Sequence, residues 1–114
     1  MIPPVFQSLR EHDYHPRLAA TQGLGLVLFS SPDCGTCRRV EALLPAAVPV
    51  DAMLFHVDVQ QSPGLARAFD IFHLPDLFLY RAGRFHARLA CEVTPTTLRR
   101  AIDVALAKPP EDEP

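Results

Sequence analysis

Residues 26–40, LVLFSSPDCGTCRRV, are the stretch of sequence that decides the fold. It begins with apolar strand-forming residues, 26–29, which predict a buried β-strand because no polar residue alternates with them. The loop-forming residues SSPD at 30–33 end this run, and residues 38–44 have helical character. The stretch therefore predicts a buried strand that leads through a short loop into a helix.

Cys34 and Cys37 stand in a CxxC motif at the predicted start of this helix. Unpaired backbone N–H groups and the positive end of the helix dipole favour an anion there, so the thiolate of Cys34 is stabilised. Cys37 lies almost a turn further along, close enough to form a disulfide with Cys34. Such a pair can attack a disulfide, form a mixed disulfide and resolve it internally. We therefore predict that both cysteines are catalytic.

Two other interpretations of the cysteine pair stay open. A structural zinc site takes four ligands, of which this pair supplies two. The third cysteine, Cys91, belongs to no second CxxC motif, and the histidines show no HxxxH-type spacing with it, so we predict no metal site. The pair could also be two incidental core cysteines.

The composition indicates one ordinary globular domain. The chain has 114 residues, 48% hydrophobic and 21% charged, and its formal net charge of −2 without a Lys/Arg block provides no basic face for nucleic acid. No apolar run approaches the roughly 18 residues of a membrane span. Residues 1–15, MIPPVFQSLREHDYH, lack the basic start and apolar core of a signal peptide. We therefore expect a monomer in the cytosol, where structural disulfides are rare and a CxxC motif favours redox use.

The remaining sequence predicts strands and helices in alternation. Further strands are predicted at 5–9, 53–59, 77–80 and 85–90, and further helices at 13–21 with Asp13 as N-cap, at 65–69, and after Thr94 as N-cap. Pro45 is expected to kink or end the helix after the cysteines, because proline lacks the N–H and crowds the preceding turn. This order predicts an α/β fold, a central mixed sheet of about four to five strands flanked by helices on both faces.

The predicted domain spans residues 1–108, and residues 109–114 are expected to form a disordered acidic tail. A hairpin turn at 81–84, in which Gly83 takes a positive φ, joins the last two strands. The alternation of Phe85, Ala87 and Leu89 predicts a half-exposed edge strand. Four histidines are expected at the surface: His12, His15, His73 and His86.

The chain resembles the thioredoxin family over essentially its full ordered length. The motifs that carry the resemblance are VLFSSPDCGTC at 27–37, FHVDVQQSPGLARAFDI at 55–71 and HLPDLFLYRAGR at 73–84. Family members place a CxxC motif between a buried strand and a helix. Later they have a proline preceded by an apolar residue and followed by a strand and a glycine turn.

The resemblance implies roles for particular residues. Cys34 matches the exposed nucleophile and Cys37 the buried resolving cysteine, while Pro75 matches the cis proline that helps to dock an extended substrate. An ordinary trans proline at a strand start is the alternative. Gly35 and Thr36 lie where residue choice tunes the redox potential, and Thr36 replaces the proline common in reducing thioredoxins. The implied substrate-binding residues are Asp33, Gly35, Thr36, Leu74, Pro75, Asp76 and Cys91.

The sequence departs from the family pattern at three positions. Asp33 replaces the usual tryptophan, Asp76 replaces the usual threonine after the cis proline, and Leu28 stands where a buried acid is expected. The two carboxylates would flank Cys34 and raise the pKa of its thiol, unless both side chains point to water.

Two further residues are candidates for unusual chemistry. His56 lies near the position of a family lysine and could replace the missing acid as proton acceptor, or it is simply a satisfied histidine. Cys91 falls where relatives usually have a glycine beside the CxxC motif. Its thiol could trap a mixed disulfide or sense oxidation, or it is a small apolar filler.

The sequence thus predicts a thiol-disulfide oxidoreductase of thioredoxin type that reduces protein disulfides. The implied partners are disulfide-containing proteins and a reductase or thiol as electron donor, with no bound cofactor. The alternative is a non-enzymatic thioredoxin-like binding module with a vestigial or metal-holding CxxC motif. The absence of the tryptophan and of the buried acid keeps this alternative open.

Overall fold

The structure, a computed structural model, describes residues 6–89 and 94–114, in which strands alternate with helices. The strands are β1 (Gln7–Ser8), β2 (Leu24–Ser30), β3 (Met53–Asp58), β4 (Asp76–Arg81) and β5 (Arg84–Leu89). The helices are α1 (Tyr14–Ala19), α2 (Gly35–Ala47), α3 (Pro63–Ala68) and α4 (Pro95–Leu106). The five strands form one mixed sheet, which confirms the predicted fold class. None of these helices is long and apolar enough to cross a membrane.

The strand order β1-β3-β2-β4-β5 makes β2 the central strand. Strand β3 runs parallel to β2 on one side, and β4 runs antiparallel to it on the other. In this register Ser30 at the end of β2 pairs with Asp58, and Phe29 pairs with Asp76 at the start of β4. The loop after β2 and the segment before β4 therefore meet at the same end of the sheet.

The sheet carries a hydrophobic cluster on each face because successive side chains of β2 point to opposite sides. Leu26 and Leu28 pack with residues of α2 and α4, while Val27 and Phe29 pack with residues of α1 and α3. Burying each such side chain contributes about 1.5–3 kcal/mol to the free energy of unfolding. The two clusters fix α2, and with it the cysteine pair, on one face of the sheet.

Helix α2 passes through Pro45, which the sequence predicted to kink or end it. The helix continues to Ala47. Pro45 lies in the last turn, where the missing N–H removes only one late backbone hydrogen bond. Leu44 and Ala47 are both fully buried against the sheet, and this packing holds the last turn in helical conformation.

The prediction that His86 lies at the surface is wrong. His86 is 4% exposed, and its Nε2 lies 2.7 Å from the backbone oxygen of Ala105 near the end of α4. Leu79 pairs with Ala87 but Tyr80 pairs with Phe85, so β5 has an extra residue, His86, at this point. Such a β-bulge interrupts the alternation of inward and outward side chains, which explains why three successive residues, 85–87, are buried.

Two local predictions are confirmed. The turn between β4 and β5 has positive φ at Ala82 (52°) and Gly83 (81°), and a Cβ on Gly83 would lie 2.6 Å from the backbone oxygen of Ala19. Only glycine suits that position. The Thr94 hydroxyl caps α4 by accepting a hydrogen bond from the backbone N–H of Thr97 at 3.2 Å.

Residues 109–114 form no helix or strand, and acidic side chains among them contact the sheet. The backbone N–H of Glu111 donates to the backbone oxygen of His86 at 2.7 Å. Glu113 accepts a hydrogen bond from the Tyr80 hydroxyl at 3.1 Å, and that hydroxyl lies 2.8 Å from the hydroxyl of Tyr14. Burial raises the pKa of both tyrosines. The division into a domain ending at residue 108 and a disordered tail stays a prediction.

Candidate active site

The cysteine pair lies where β2 gives way to α2. Cys34 is the N-cap of α2, with extended backbone angles, and its Sγ accepts a hydrogen bond from the backbone N–H of Cys37 at 3.1 Å. A disulfide joins the two residues, whose Cα atoms are 5.2 Å apart. The helix therefore directs one of its unpaired N–H donors at the sulfur of Cys34, where a negative charge is favoured.

The two cysteines differ in accessibility. Cys34 is partly exposed, and its neighbours Gly35 and Thr36 are exposed. Cys37 is 1% exposed and belongs to the buried face of α2. A molecule arriving from solvent can therefore reach the sulfur of Cys34, whereas the sulfur of Cys37 is reached through Cys34 or from inside the protein.

The segment before β4 lies at the same end of the sheet as the cysteine pair. The Leu74–Pro75 peptide bond is cis, and both residues are partly buried. Leu74 packs against the hydrophobic cluster shared by α1 and α3. Asp76 begins β4 directly opposite Phe29 of β2. The fold thus gathers Leu74, Pro75 and Asp76 at the end of the sheet from which the CxxC loop emerges.

Asp76 is held in an ion pair that sequence reasoning missed. Its Oδ2 lies 3.0 Å from a guanidinium nitrogen of Arg88, and its Oδ1 accepts a hydrogen bond from the backbone N–H of Leu77 at 3.0 Å. Arg88 also donates to the backbone oxygen of Phe69 at 2.9 Å and lies 5.1 Å from the ring centre of Phe78. Burial raises the pKa of Asp76, and the charge of Arg88 opposes that shift.

The two carboxylates predicted to flank Cys34 are therefore in different surroundings. Asp33 is exposed, and its Oδ2 accepts a hydrogen bond from the Gln60 side-chain amide at 3.3 Å. The Asp76 side chain is only 15% exposed, and Arg88 neutralises it. The sequence left open whether both side chains point to water. The Asp33 side chain does so, whereas the Asp76 side chain does not. Their effect on the Cys34 thiol stays a prediction.

A cavity of about 190 Å³ lies behind the cysteine pair, on the α2 face of the sheet. We call it the Cys37 cavity; its lining residues are Ser30, Ser31, Pro32, Cys37, Arg38, Glu41, His56 and Asp58. His56 of β3 stands beside Leu28 in the sheet, and its Nε2 is hydrogen-bonded to the hydroxyl of Ser30. The structure therefore places His56 and Cys37 in the lining of the same cavity. His56 is the strand neighbour of Leu28, the position at which the family pattern has a buried acidic residue.

Of the residues that line the Cys37 cavity, only Cys37 and His56 were singled out from the sequence as functional residues. Glu41 follows Cys37 by one helical turn, and Asp58 follows His56 by two residues on the same strand, so both share a face with a predicted residue. Ser30 ends β2, in register with Asp58. These spacings are signals that could have identified Glu41 and Asp58 once the elements were assigned.

Two other predictions concern Cys91 and metal binding. Cys91 lies outside the described residues, so its proposed place beside the CxxC motif stays a prediction. Within residues 6–89 and 94–114, no group of three or more His, Cys, Asp or Glu side chains is arranged to hold a metal ion.

Comparison with known proteins places the chain in a family. The sequence profile of the family described as Thioredoxin matches residues 5–104. The chain belongs to the thioredoxin family. No curated protein matches the sequence.

Many solved structures share this thioredoxin fold, and two of them illustrate the similarity. The zinc-bound form of human ERp44 superimposes with a TM-score of 0.71 at 18% identity, over 88% of this chain and 31% of ERp44. This thioredoxin-family chain thus spans about a third of ERp44. The second structure was solved to explain the thiol resolving mechanism in yeast mitochondrial 1-Cys peroxiredoxin via glutathione/thioredoxin systems. It superimposes with a TM-score of 0.72 at 18% identity, over 87% of this chain and 94% of that chain. At these identities the similarity shows the fold alone.

Proposed function

We propose that this protein is a thiol-disulfide oxidoreductase of thioredoxin type, which reduces protein disulfides through Cys34 and Cys37. The observation that carries the proposal is the asymmetry of the pair. Cys34 is partly exposed at the first turn of α2, with the N–H of Cys37 at 3.1 Å from its sulfur, and Cys37 is buried and joined to it. One sulfur is placed to meet a substrate and the other to release it.

The reaction follows from this arrangement in two exchanges. The Cys34 thiolate attacks one sulfur of a substrate disulfide, so that a mixed disulfide forms and the other substrate sulfur leaves as a thiolate. Cys37, as thiolate, then attacks the sulfur of Cys34. The Cys34–Cys37 disulfide forms, and the second substrate thiolate is released. The substrate has gained two electrons and, with protons from water, becomes two thiols.

The residues around Cys34 would bind the substrate chain. We assign this role to the exposed Asp33, Gly35 and Thr36 on one side and to Leu74, Pro75 and Asp76 on the other; Cys91 is a further candidate from the sequence. Both groups lie at the same end of the sheet. An extended polypeptide crossing this end would bring its disulfide to the sulfur of Cys34.

The partners of this reaction are disulfide-containing proteins and a reductase or thiol that returns the electrons. We propose that the protein works as a monomer in the cytosol, without a bound cofactor and without nucleic acid or membrane. A reducing compartment favours reduction of substrates over oxidation. The second of the two similar solved structures belongs to work on thiol resolution in yeast mitochondrial 1-Cys peroxiredoxin via glutathione/thioredoxin systems, which is the same class of exchange.

A redox titration tests the proposal. The intact protein is equilibrated in dithiol buffers of defined potential, trapped by alkylation and analysed by mass spectrometry, with Cys91→Ser in parallel. We expect a reversible two-electron transition confined to Cys34 and Cys37, with a midpoint below the roughly −180 mV of a disulfide isomerase. A more oxidising midpoint would reverse the proposed direction.

A turnover assay separates the enzyme from the binding module. The protein should reduce a generic protein disulfide with a chemical dithiol as electron source. Cys37→Ala should lose turnover and accumulate a mixed disulfide, because Cys34 still attacks but nothing resolves the product. Cys34→Ala should lose turnover without any adduct. If the pair does not close reversibly and the protein does not turn over, the non-enzymatic binding module is the correct interpretation.

A further inference from the structure

We propose that His56, held by Ser30 in the Cys37 cavity, accepts the proton of the Cys37 thiol when this cysteine resolves the mixed disulfide. The inference rests on the proposed function and assigns a residue to its second step. It concerns the face of the sheet behind the cysteine pair, away from the surface that would bind substrate.

The second exchange needs a proton acceptor inside the protein. Thiolates, not thiols, attack disulfides, and burial disfavours the charged form of a thiol. Cys37 is 1% exposed, so bulk water does not remove its proton easily. On the adjacent central strand, Leu28 faces the same side and offers no acid or base. The base must therefore come from another residue that borders Cys37.

Three secondary-structure elements meet at the Cys37 cavity and place a candidate base beside Cys37. Helix α2 contributes Cys37, strand β3 contributes His56, and the end of β2 contributes Ser30. The Ser30 hydroxyl is hydrogen-bonded to His56 Nε2, which fixes the position of the ring. The cavity of about 190 Å³ is large enough for water, which could relay a proton between ring and thiol. Histidine is the side chain whose ordinary pKa lies nearest to neutral pH.

The charges around the cavity favour the products of this proton transfer. Carboxylates of Glu41 on α2 and Asp58 on β3 line the cavity and favour a positively charged imidazole. Arg38 on α2 lines it as well, and its guanidinium donates to the backbone oxygen of Pro32. Arg38 opposes the charge on His56 but favours a Cys37 thiolate. The cavity thus contains groups that stabilise each half of a thiolate–imidazolium pair.

The proton balance of the step is complete. His56 takes the proton from Cys37, and the Cys37 thiolate forms the bond to the sulfur of Cys34 while the bond from Cys34 to the substrate sulfur breaks. The substrate sulfur leaves as a thiolate. The proton on His56 then passes to water at the cavity, and the neutral imidazole is restored.

A stopped-flow experiment separates the two exchanges. Reduced protein carrying Cys91→Ser is mixed with dithiobis-nitrobenzoate, a chromogenic aromatic disulfide. The first coloured thiolate reports attack by Cys34, and the second reports attack by Cys37 on the mixed disulfide. Mass spectrometry of acid-quenched samples measures the fraction of protein that is present as the mixed disulfide.

We expect His56→Gln to slow the second release about tenfold or more at neutral pH, as the loss of a general base does. The first release should stay within about twofold, because His56 does not border Cys34 in the cavity. The defect should shrink as pH rises past the ordinary thiol pKa of about 8.5, where hydroxide removes the proton unaided. A merely structural role would produce a defect that pH does not relieve.

Ser30→Ala should slow the second release by only about threefold, because the His56 ring loses the hydrogen bond that positions it but can still accept a proton. Combining Ser30→Ala with His56→Gln should add nothing to His56→Gln alone. His12 is exposed and does not line the cavity, so His12→Gln is the matched control and should behave as the parent. Far-ultraviolet circular dichroism verifies that each variant is folded.

Two outcomes would overturn the inference while leaving the proposed function intact. In the first, His56→Gln releases the second thiolate at the parental rate. In the second, the rate is lowered equally at every pH. Failure of the parent protein itself to release two equivalents would instead refute the proposed function.

Discussion

Two polar clusters lie at the same end of the sheet, on opposite faces. One surrounds a cavity, and the other is an ion pair in direct contact. On the α2 face, the Cys37 cavity has charged and polar side chains around an open space of about 190 Å³. On the α3 face, the Asp76–Arg88 pair is closed by direct contacts: the Asp76 side chain is 15% exposed, and Arg88, whose side chain is 36% exposed, also donates to the backbone oxygen of Phe69. Both clusters adjoin the segments that carry the candidate active site.

The comparison shows how a polar residue near a reactive pair can be assigned a role. The Asp76 carboxylate contacts Arg88 and the N–H of Leu77, so its oxygens are occupied and its position is fixed. Among the described residues, the His56 side chain has one hydrogen bond, to Ser30, and it borders a space that it shares with a buried thiol. A group whose partners are all protein atoms holds structure together, whereas a group beside a cavity can exchange a proton.

The largest expected effect comes from opening the closed cluster. Arg88→Ala should lower the free energy of unfolding by about 2 kcal/mol at neutral pH, because it leaves a mostly buried carboxylate without its cation. The free backbone oxygen of Phe69 adds to the loss. Urea unfolding of the oxidised protein measures the change. The cysteine chemistry in the stopped-flow assay should change much less.

A double-mutant cycle controls for the loss of the arginine side chain itself. Asp76→Asn combined with Arg88→Ala should cost less than Arg88→Ala alone, since no unpaired charge remains. If the two changes are additive, the ion pair does not stabilise this end of the sheet. In that case the contrast between the closed and the open cluster loses its energetic basis.

A smaller effect is expected from the open cluster. Glu41→Gln should slow the second thiolate release about threefold at neutral pH, because one of two carboxylates that favour the charged form of His56 is removed. The free energy of unfolding should barely change. Asp103→Asn, an exposed carboxylate on α4, is the matched control. A large loss of stability with unchanged kinetics would instead place Glu41 among the structural residues.

The β2–CxxC–α2 unit could be predicted from sequence because its signals are local. An uninterrupted apolar run, a loop of Ser, Pro and Asp, and a helical segment follow one another within residues 26–44. The same holds for the glycine turn at Gly83 and for the cap at Thr94, since each depends on a few adjacent residues. The mixed sheet followed from the order of such elements.

The remaining features depend on register and on distant contacts. His86 is buried because a β-bulge adds one residue to β5, and the alternation of side chains alone does not reveal a bulge. The pairing of Asp76 with Arg88 requires the register of the β4–β5 hairpin. Ser30, Glu41 and Asp58 meet only after three elements have packed together, so no local pattern contains the cavity.

The smallest expected effect is a change in the pH dependence of stability at Asp76. Burial raises the pKa of this carboxyl, with Arg88 opposing. Its contribution to the free energy of unfolding is therefore fully present below the ordinary aspartate pKa of about 3.9 and is lost as pH rises through the raised pKa. Asp76→Asn lacks that loss, so its stability relative to the parent should improve as pH rises above the ordinary aspartate pKa, as measured by urea unfolding. The same comparison in an Arg88→Ala background should show a steeper improvement, because the opposing cation is gone. A difference that runs the other way would mean that Arg88 outweighs burial, and that the closed cluster stabilises the charged carboxylate.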